Sequence, residues 1–167
     1  MKNASPIAKR FREVLLDGRW IANTNYKELL SDLSWQQATT PIGSLNTIAA
    51  LTFHIDYYIG GVLQVFEGGS LDIRDKYSFD LPPIRSQADW EKLVHQLWQH
   101  SERFAQHIES MSEEQLLAPF VKAQYGDYLR NIEGMIEHCY YHMGQIAILK
   151  KMILEAERGE LVLPAKK

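Results

Sequence analysis

The sequence of 167 residues predicts an all-α fold, a four-helix bundle with one long crossover. Apolar residues recur at three- and four-residue spacing in four long segments, as they do on the buried face of an amphipathic helix. No segment shows sustained alternation of apolar and polar residues, so strands are not expected. Residues 68–85, between the second and third segments, are long enough to carry the chain along the bundle. We expect a single domain over residues 1–167.

The first helix is expected to begin at Ser5, because Ser5 followed by Pro6 is a common N-cap and first-turn pair. Its apolar pattern is expected to kink near Gly18 and to resume from Trp20 to Leu30. Residues 35–43 contain a Thr-Thr-Pro sequence and are expected to form a loop.

The second helix is expected to begin near Ser44 and to end at the Gly68-Gly69 pair, since glycine readily adopts the left-handed conformation that ends helices. The third is expected to begin at Ser86, where Asp89 three residues later makes a variant of the capping box. Its apolar stripe runs over residues 90–108.

A short turn of helix is expected at residues 112–117. The fourth long helix is expected to begin near Asp127, with an apolar stripe that continues to Ile153. Lysine and arginine are frequent near its end, where a positive charge stabilises the helix dipole.

The composition excludes several classes of protein. The apolar fraction of 46% and the charged fraction of 23% are typical of a soluble globular domain. A net charge of −3 gives no electrostatic reason to expect a nucleic-acid partner. The single cysteine, Cys139, excludes an internal disulfide framework and favours a reducing compartment. No signal peptide is visible, and polar residues interrupt the longest apolar stretch, residues 45–66. We therefore expect a cytoplasmic protein without a membrane span.

Two histidines on the fourth predicted helix indicate a metal site. His138 and His142 are four residues apart, so their imidazoles face the same way and can bind one ion. His54 on the second predicted helix could supply a third imidazole. A three-histidine set leaves coordination positions open, as catalytic sites do. The alternative is that these are ordinary helix histidines, hydrogen-bonded within the bundle.

The remaining polar residues are interpreted more simply. The third helix carries three histidines among glutamines, and solvated positions explain them best: His95, His100 and His107. Asp56 lies on the opposite side of the helix from His54, so we expect a surface or loop-facing carboxylate rather than a ligand. The crossover residues Arg74, Asp75, Lys76 and Asp80 could cover the site, although a solvated loop is the default interpretation.

Both histidine-bearing helices carry a polar or small-residue face beside their apolar stripe. Since buried polar groups need partners, two such faces indicate a pocket. Asn131 and Gln145 are expected to orient an imidazole or to hold a water molecule. The expected pocket edge also includes Thr47, Tyr57 and Tyr58, with packing as the alternative role for the tyrosines.

The runs NTIAALTFHI at residues 46–55 and HCYYHMGQI at residues 138–146 resemble the DinB-like (YfiT-like) superfamily. The resemblance implies a bundle in up-down-down-up order. It also implies that a divalent metal is bound by one histidine of the second helix and an H-x3-H pair of the fourth, here His54, His138 and His142. Frequent homodimers are implied as well, and activities as metal-dependent hydrolases or as thiol-cofactor S-transferases and isomerases.

The first functional hypothesis is a metal-dependent enzyme that uses zinc or nickel, with a small-molecule substrate or a thiol cofactor as its partner. No carboxylate shares the helix face of the histidines, which favours transfer of a metal-bound thiol over hydrolysis. The second hypothesis is a non-catalytic, dimeric metal-binding bundle or a stress-response interaction module. The third is a bundle that carries helix histidines without a metal.

Overall fold

The structure is a computed structural model that describes residues 5–165. Seven α-helices occur in this range: α1 Ser5–Leu15, α2 Tyr26–Leu30, α3 Trp35–Thr39, α4 Ile48–Phe66, α5 Gln87–Ser110, α6 Glu113–Leu116 and α7 Tyr128–Glu157. Two single turns of 3-10 helix, Asp75–Tyr77 and Ala123–Tyr125, lie in the connections. No β-strand occurs within residues 5–165, so the prediction of an all-α fold is confirmed.

The four long helices form a bundle around one apolar core. Going round the bundle, α1 packs on α5, α5 on α4, α4 on α7, and α7 on α1. Phe11 and Phe104 stack across the α1–α5 contact with ring centroids 4.5 Å apart. Phe66 of α4 packs on Phe104 at 4.8 Å. Burial of these rings supplies much of the hydrophobic stabilisation at this end of the bundle.

Helices α4 and α5 run parallel. Asp56 contacts Gln96, and Glu67, directly after the end of α4, contacts Arg103, further along α5. Two consecutive helices can be parallel only if the connection returns along the bundle, and residues 67–86 provide that length.

Helices α4 and α7 run antiparallel. His54 lies against His142, whereas Phe66 near the end of α4 stacks on Tyr128 at the start of α7 with centroids 5.7 Å apart. The middle of α4 is thereby placed against the middle of α7.

Side-chain caps fix where the long helices begin. The hydroxyl of Ser86 accepts the backbone N–H of Asp89 at α5, and the carboxylate of Asp127 caps α7, both at the predicted positions. The predicted start of the second helix near Ser44 is wrong, because Thr47 is the N-cap of α4.

The expectation that the first helix resumes at Trp20 is also wrong. Helix α1 ends at Leu15, and the side chains of Trp20 and Ile21 are 87% and 68% exposed. The loop is closed by Asn25, whose side chain donates to the carbonyl of Gly18 and caps α2. The two apolar residues therefore lie outside the core.

The segment expected to be a loop at residues 35–43 contains helix α3. Ser34 and Gln37 form a complete capping box, in which each side chain bonds the other residue's backbone N–H. The Thr-Thr-Pro sequence then ends the helix after one turn rather than preventing it.

Asp56 is not a surface carboxylate. It is 3% exposed and accepts hydrogen bonds from Gln96 at 2.6 Å and from the Nδ1 of His100 at 2.8 Å. His100 is half-buried, so the solvated position expected for it is wrong, whereas His95 is exposed as expected. The buried carboxylate therefore has polar partners and fixes the contact between α4 and α5.

Helix α4 is the one helix within residues 5–165 that is long and apolar enough to cross a membrane. Most of its apolar window is buried against the neighbouring helices, as in the core helix of a soluble bundle. The same window contains His54 and Asp56, both buried.

We predict that Phe104→Ala lowers the free energy of unfolding by about 3–5 kcal/mol, because it removes a fully buried ring and leaves a cavity between Phe11 and Phe66. Urea unfolding followed by circular dichroism measures the change. Trp20→Ala is the control and should change the free energy by no more than about 0.5 kcal/mol. A similar loss in both variants would contradict the assignment of the core.

Candidate metal centre

Three imidazoles meet where α4 crosses α7. The Nε2 atom of His138 lies 3.1 Å from the Nε2 of His54 and 2.9 Å from the Nε2 of His142. One nitrogen from each ring lies within 4.8 Å of the others, so the cluster could hold a metal ion. His54 and His142 are each only 7% exposed, and His138 is partly exposed.

The helices that carry the cluster are anchored beside it. His138 and His142 are one turn apart on α7, and their rings lie 4.6 Å apart between centroids. The buried hydroxyl of Tyr26 in α2 donates to the backbone carbonyl of Cys139 at 2.9 Å. Since Cys139 adjoins His138, this bond holds α7 in place next to the cluster.

The outer nitrogens of two rings face oxygen acceptors. The Nδ1 of His54 lies 3.3 Å from the carbonyl oxygen of Ser78, and the Nδ1 of His142 lies 2.7 Å from the Oε1 of Gln145. Each contact requires the proton on Nδ1, which leaves the Nε2 lone pair directed into the cluster. An oxygen partner on the outer nitrogen is the usual support of a metal-binding imidazole.

The environment keeps the three imidazoles neutral. Burial, with the neighbouring His142 and His54 as smaller causes, lowers the pKa of His138 to about 4. Burial and His142 lower the pKa of His54, against the opposing effect of the Ser78 carbonyl. Burial also lowers the pKa of His142. The cluster can therefore bind a cation near neutral pH without first losing protons.

The donor set fits a divalent transition metal. With Nδ1 protonated on His54 and His142, at least two Nε2 lone pairs face the same small space, which is unfavourable unless a proton or a cation lies between them. Neutral imidazoles suit zinc, nickel, copper and iron, and three of them leave coordination positions for another ligand.

The crossover covers the cluster. The ring of Phe79 stacks on His54 with centroids 4.2 Å apart and planes inclined by 15°. Ser78 is buried and supplies the carbonyl that faces His54. The crossover residues named from the sequence, Arg74, Asp75, Lys76 and Asp80, are exposed, as the default interpretation of a solvated loop expects. The sequence offered no direct signal for Ser78 or Phe79, because neither belongs to a periodic segment.

Tyr58 and Asp75 form a pair at the edge of the cluster. The ring of Tyr58 lies edge-on to His54 at 5.0 Å and to His138 at 5.3 Å. Its hydroxyl donates to the Oδ1 of Asp75 at 2.8 Å. The helix faces that carry the histidines have no carboxylate, but the crossover brings the carboxylate of Asp75 close to the site.

Tyr57 binds the backbone of the crossover and does not line the cluster. Its hydroxyl accepts the backbone N–H of Arg74 at 2.9 Å and donates to the carbonyl of the same residue at 3.1 Å. Because Arg74 precedes Asp75, this contact also positions the carboxylate that Tyr58 binds.

The other expected pocket residues have different positions. Gln145 contacts His142 directly. Asn131 contacts no imidazole: its amide donates to the carbonyls of Tyr125 and Asp127, although it lines a cleft beside His138. Thr47 caps α4, two turns from His54, so its hydroxyl has a structural role.

A cleft of about 400 Å³ opens beside His138, between α4, the crossover and α7. Its walls are mostly apolar: Val62, Leu71, Ile73, Phe120 and Met135. Arg130 and Asn131 lie at its far end, on the first two turns of α7. The cluster is therefore accessible from one side, while the crossover covers another.

A family model described as the DinB superfamily matches residues 21–146, more than half of the chain. No curated protein and no solved structure matches the chain. The matched range contains all three histidines.

We predict that the free energy of unfolding of the metal-free protein falls as the pH is lowered from about 6.5 to about 5. The pKa of His138 is lower in the folded protein than in the unfolded chain, so the unfolded chain takes up the proton first and is favoured by acid. Urea unfolding at several pH values measures this, above the range in which carboxyl groups titrate. His138→Phe should make the free energy of unfolding less dependent on pH. An unchanged pH dependence in this variant would contradict the prediction.

We predict that Gln145→Leu weakens metal binding about 10- to 100-fold, because it removes the oxygen that orients His142. Competition with a chromophoric chelator measures the affinity. Asn131→Leu is the comparison and should leave the affinity unchanged, since Asn131 contacts only backbone carbonyls. Equal losses in the two variants would show that Gln145 has no specific role.

Proposed function

We propose that this chain, which belongs to the DinB superfamily, holds one divalent metal ion on His54, His138 and His142 and acts as a metal-dependent enzyme. The observation that carries the proposal is the convergence of three Nε2 atoms, two of them on rings whose outer nitrogens face oxygen acceptors. Packing alone does not account for three neutral imidazoles turned toward one another in the interior of a bundle.

Zinc and nickel are the proposed ions. When bound, such an ion lowers the pKa of a coordinated thiol or water and polarises a substrate oxygen. The chain's own contribution is to hold the three rings neutral and fixed. Phe79 also excludes water from one side of His54.

Transfer of a thiol group is the reaction we favour. The faces of α4 and α7 that carry the histidines bring no carboxylate beside the cluster, and a thiolate nucleophile needs no dedicated base once its proton is lost. The apolar walls of the cleft beside His138 suit the body of a small substrate or thiol cofactor.

Hydrolysis is the second candidate, and Asp75 is the observation that favours it. Its Oδ1 accepts the hydroxyl of Tyr58, whose ring contacts both His54 and His138. In that reaction Asp75 would take up the proton of the attacking water at a carboxylate oxygen.

A non-catalytic metal-binding bundle or stress-response interaction module remains the alternative if no reaction is found. On the family resemblance we also propose a homodimer. The buried, unpaired thiol of Cys139 supports a location in a reducing compartment, the cytoplasm.

We predict that a small thiol changes the visible spectrum of the Co²⁺-substituted protein at millimolar concentration, because the thiolate enters an open coordination position. His142→Ala should bind no Co²⁺ and show no response, while circular dichroism still shows a folded bundle. His95→Ala, an exposed histidine on α5, is the control and should behave as the unmodified protein. An unchanged spectrum of the unmodified protein would contradict thiol transfer, and unfolding of His142→Ala would indicate a structural metal.

Asp75→Asn separates the two reactions. Thiol transfer should proceed at nearly the same rate in this variant, whereas hydrolysis should lose roughly 100-fold or more in kcat. Assays with thiol acceptors and with ester and amide panels, run on both proteins, measure the difference.

A further inference from the structure

The cleft beside His138 has an apolar middle and one basic end. Its apolar lining comes from α4 and the crossover, with Val62, Leu71 and Ile73, and from α7 and the segment before it, with Met135 and Phe120. None of the described residues that line the cleft carries a carboxylate, and Arg130 is its single side chain with a fixed positive charge.

The guanidinium of Arg130 is available to a ligand. Its partner Glu137 lies 3.2 Å away, and both side chains are exposed, so the ion pair is weak and easily exchanged. A Cβ atom at Gly134 would lie 3.7 Å from the Nη1 of Arg130, which shows that the guanidinium extends over the glycine at the edge of the cleft. The missing side chain keeps the path between Arg130 and His138 open.

The amide of Asn131 is fixed beside this arginine. Both of its hydrogen bonds run from Nδ2 to backbone carbonyls, those of Tyr125 and Asp127. The Oδ1 is thereby held in one orientation at the cleft wall. Asn131 precedes His138 by two helical turns, roughly 10 Å along α7.

We propose that the cleft binds an elongated substrate with an apolar middle and a terminal anionic group, such as a carboxylate, that Arg130 holds. The other end of the molecule reaches the histidine cluster. This inference rests on the proposed function for the reacting end of the substrate, but the cleft's preference for an apolar anion does not depend on the metal.

Octanoate tests the preference of the cleft for an apolar anion. Its extended chain is about as long as the distance from Asn131 to His138 along α7, roughly 10 Å, and it carries no thiol. Titration of the isotope-labelled full chain, followed by NMR, should shift the amides of Asn131 and Gly134 with and without Zn²⁺. Octan-1-ol should bind about tenfold more weakly, since it lacks the charge-assisted contact. Equal affinities for the acid and the alcohol, or shifts confined to other parts of the chain, would overturn the inference.

Two variants with matched controls sharpen the test. Arg130→Gln should weaken the binding of octanoate about tenfold and leave the binding of octan-1-ol unchanged. Arg158 is an exposed and similarly paired arginine near the end of α7, and Arg158→Gln should change neither affinity.

Gly134→Leu should block the binding of both ligands without loss of helix, because leucine is the better helix former. Gly144→Leu, where no atom lies within 4 Å of the added Cβ, is its control. Unaltered binding in Gly134→Leu would overturn the inference.

The same acid with a terminal thiol separates this inference from the proposed function. If the thiol improves binding only when the metal is present, both are supported. If octanoate binds as expected and the thiol adds nothing, the cleft assignment stands and the thiol chemistry of the metal centre fails. If the thiol acid binds the metal but Arg130→Gln has no effect, the cleft assignment fails alone.

Discussion

The burial of three neutral imidazoles at the crossing of α4 and α7 is the constraint on which the site depends. Burial of a polar group without a partner costs free energy, and the polar partners of these rings are one another and two oxygen atoms. His54 and His142 turn their outer nitrogens to oxygen atoms and their inner nitrogens to His138. The apolar core around the crossing, rather than the cluster, supplies the stability that keeps them there.

The crossover has a second role besides connecting two parallel helices. Its length follows from the parallel arrangement of α4 and α5, but its path brings Phe79 onto His54 and Asp75 onto Tyr58. The Tyr57 contact with the backbone of Arg74 fixes this path. The crossover thus covers one side of the cluster, and the apolar cleft lies beside His138 on another side.

The sequence predicted the parts of the site that local periodicity controls. The spacing of His138 and His142 determines that they share a face on any straight helix, and the caps of α5 and α7 are local contacts. Other features depended on packing between distant segments. The roles of Phe79 and the buried Asp56 depend on where the crossover and α5 lie in the folded chain. No local sequence pattern predicts those positions.

Anomalous diffraction from crystals of untagged protein would show whether the three imidazoles hold a metal ion. Data collected at the zinc and nickel absorption edges should show one peak per chain, in contact with the Nε2 atoms of His54, His138 and His142, and the edge would identify the ion. An empty cluster after incubation with both ions, with the imidazoles hydrogen-bonded to one another, would show that the three histidines form no metal site.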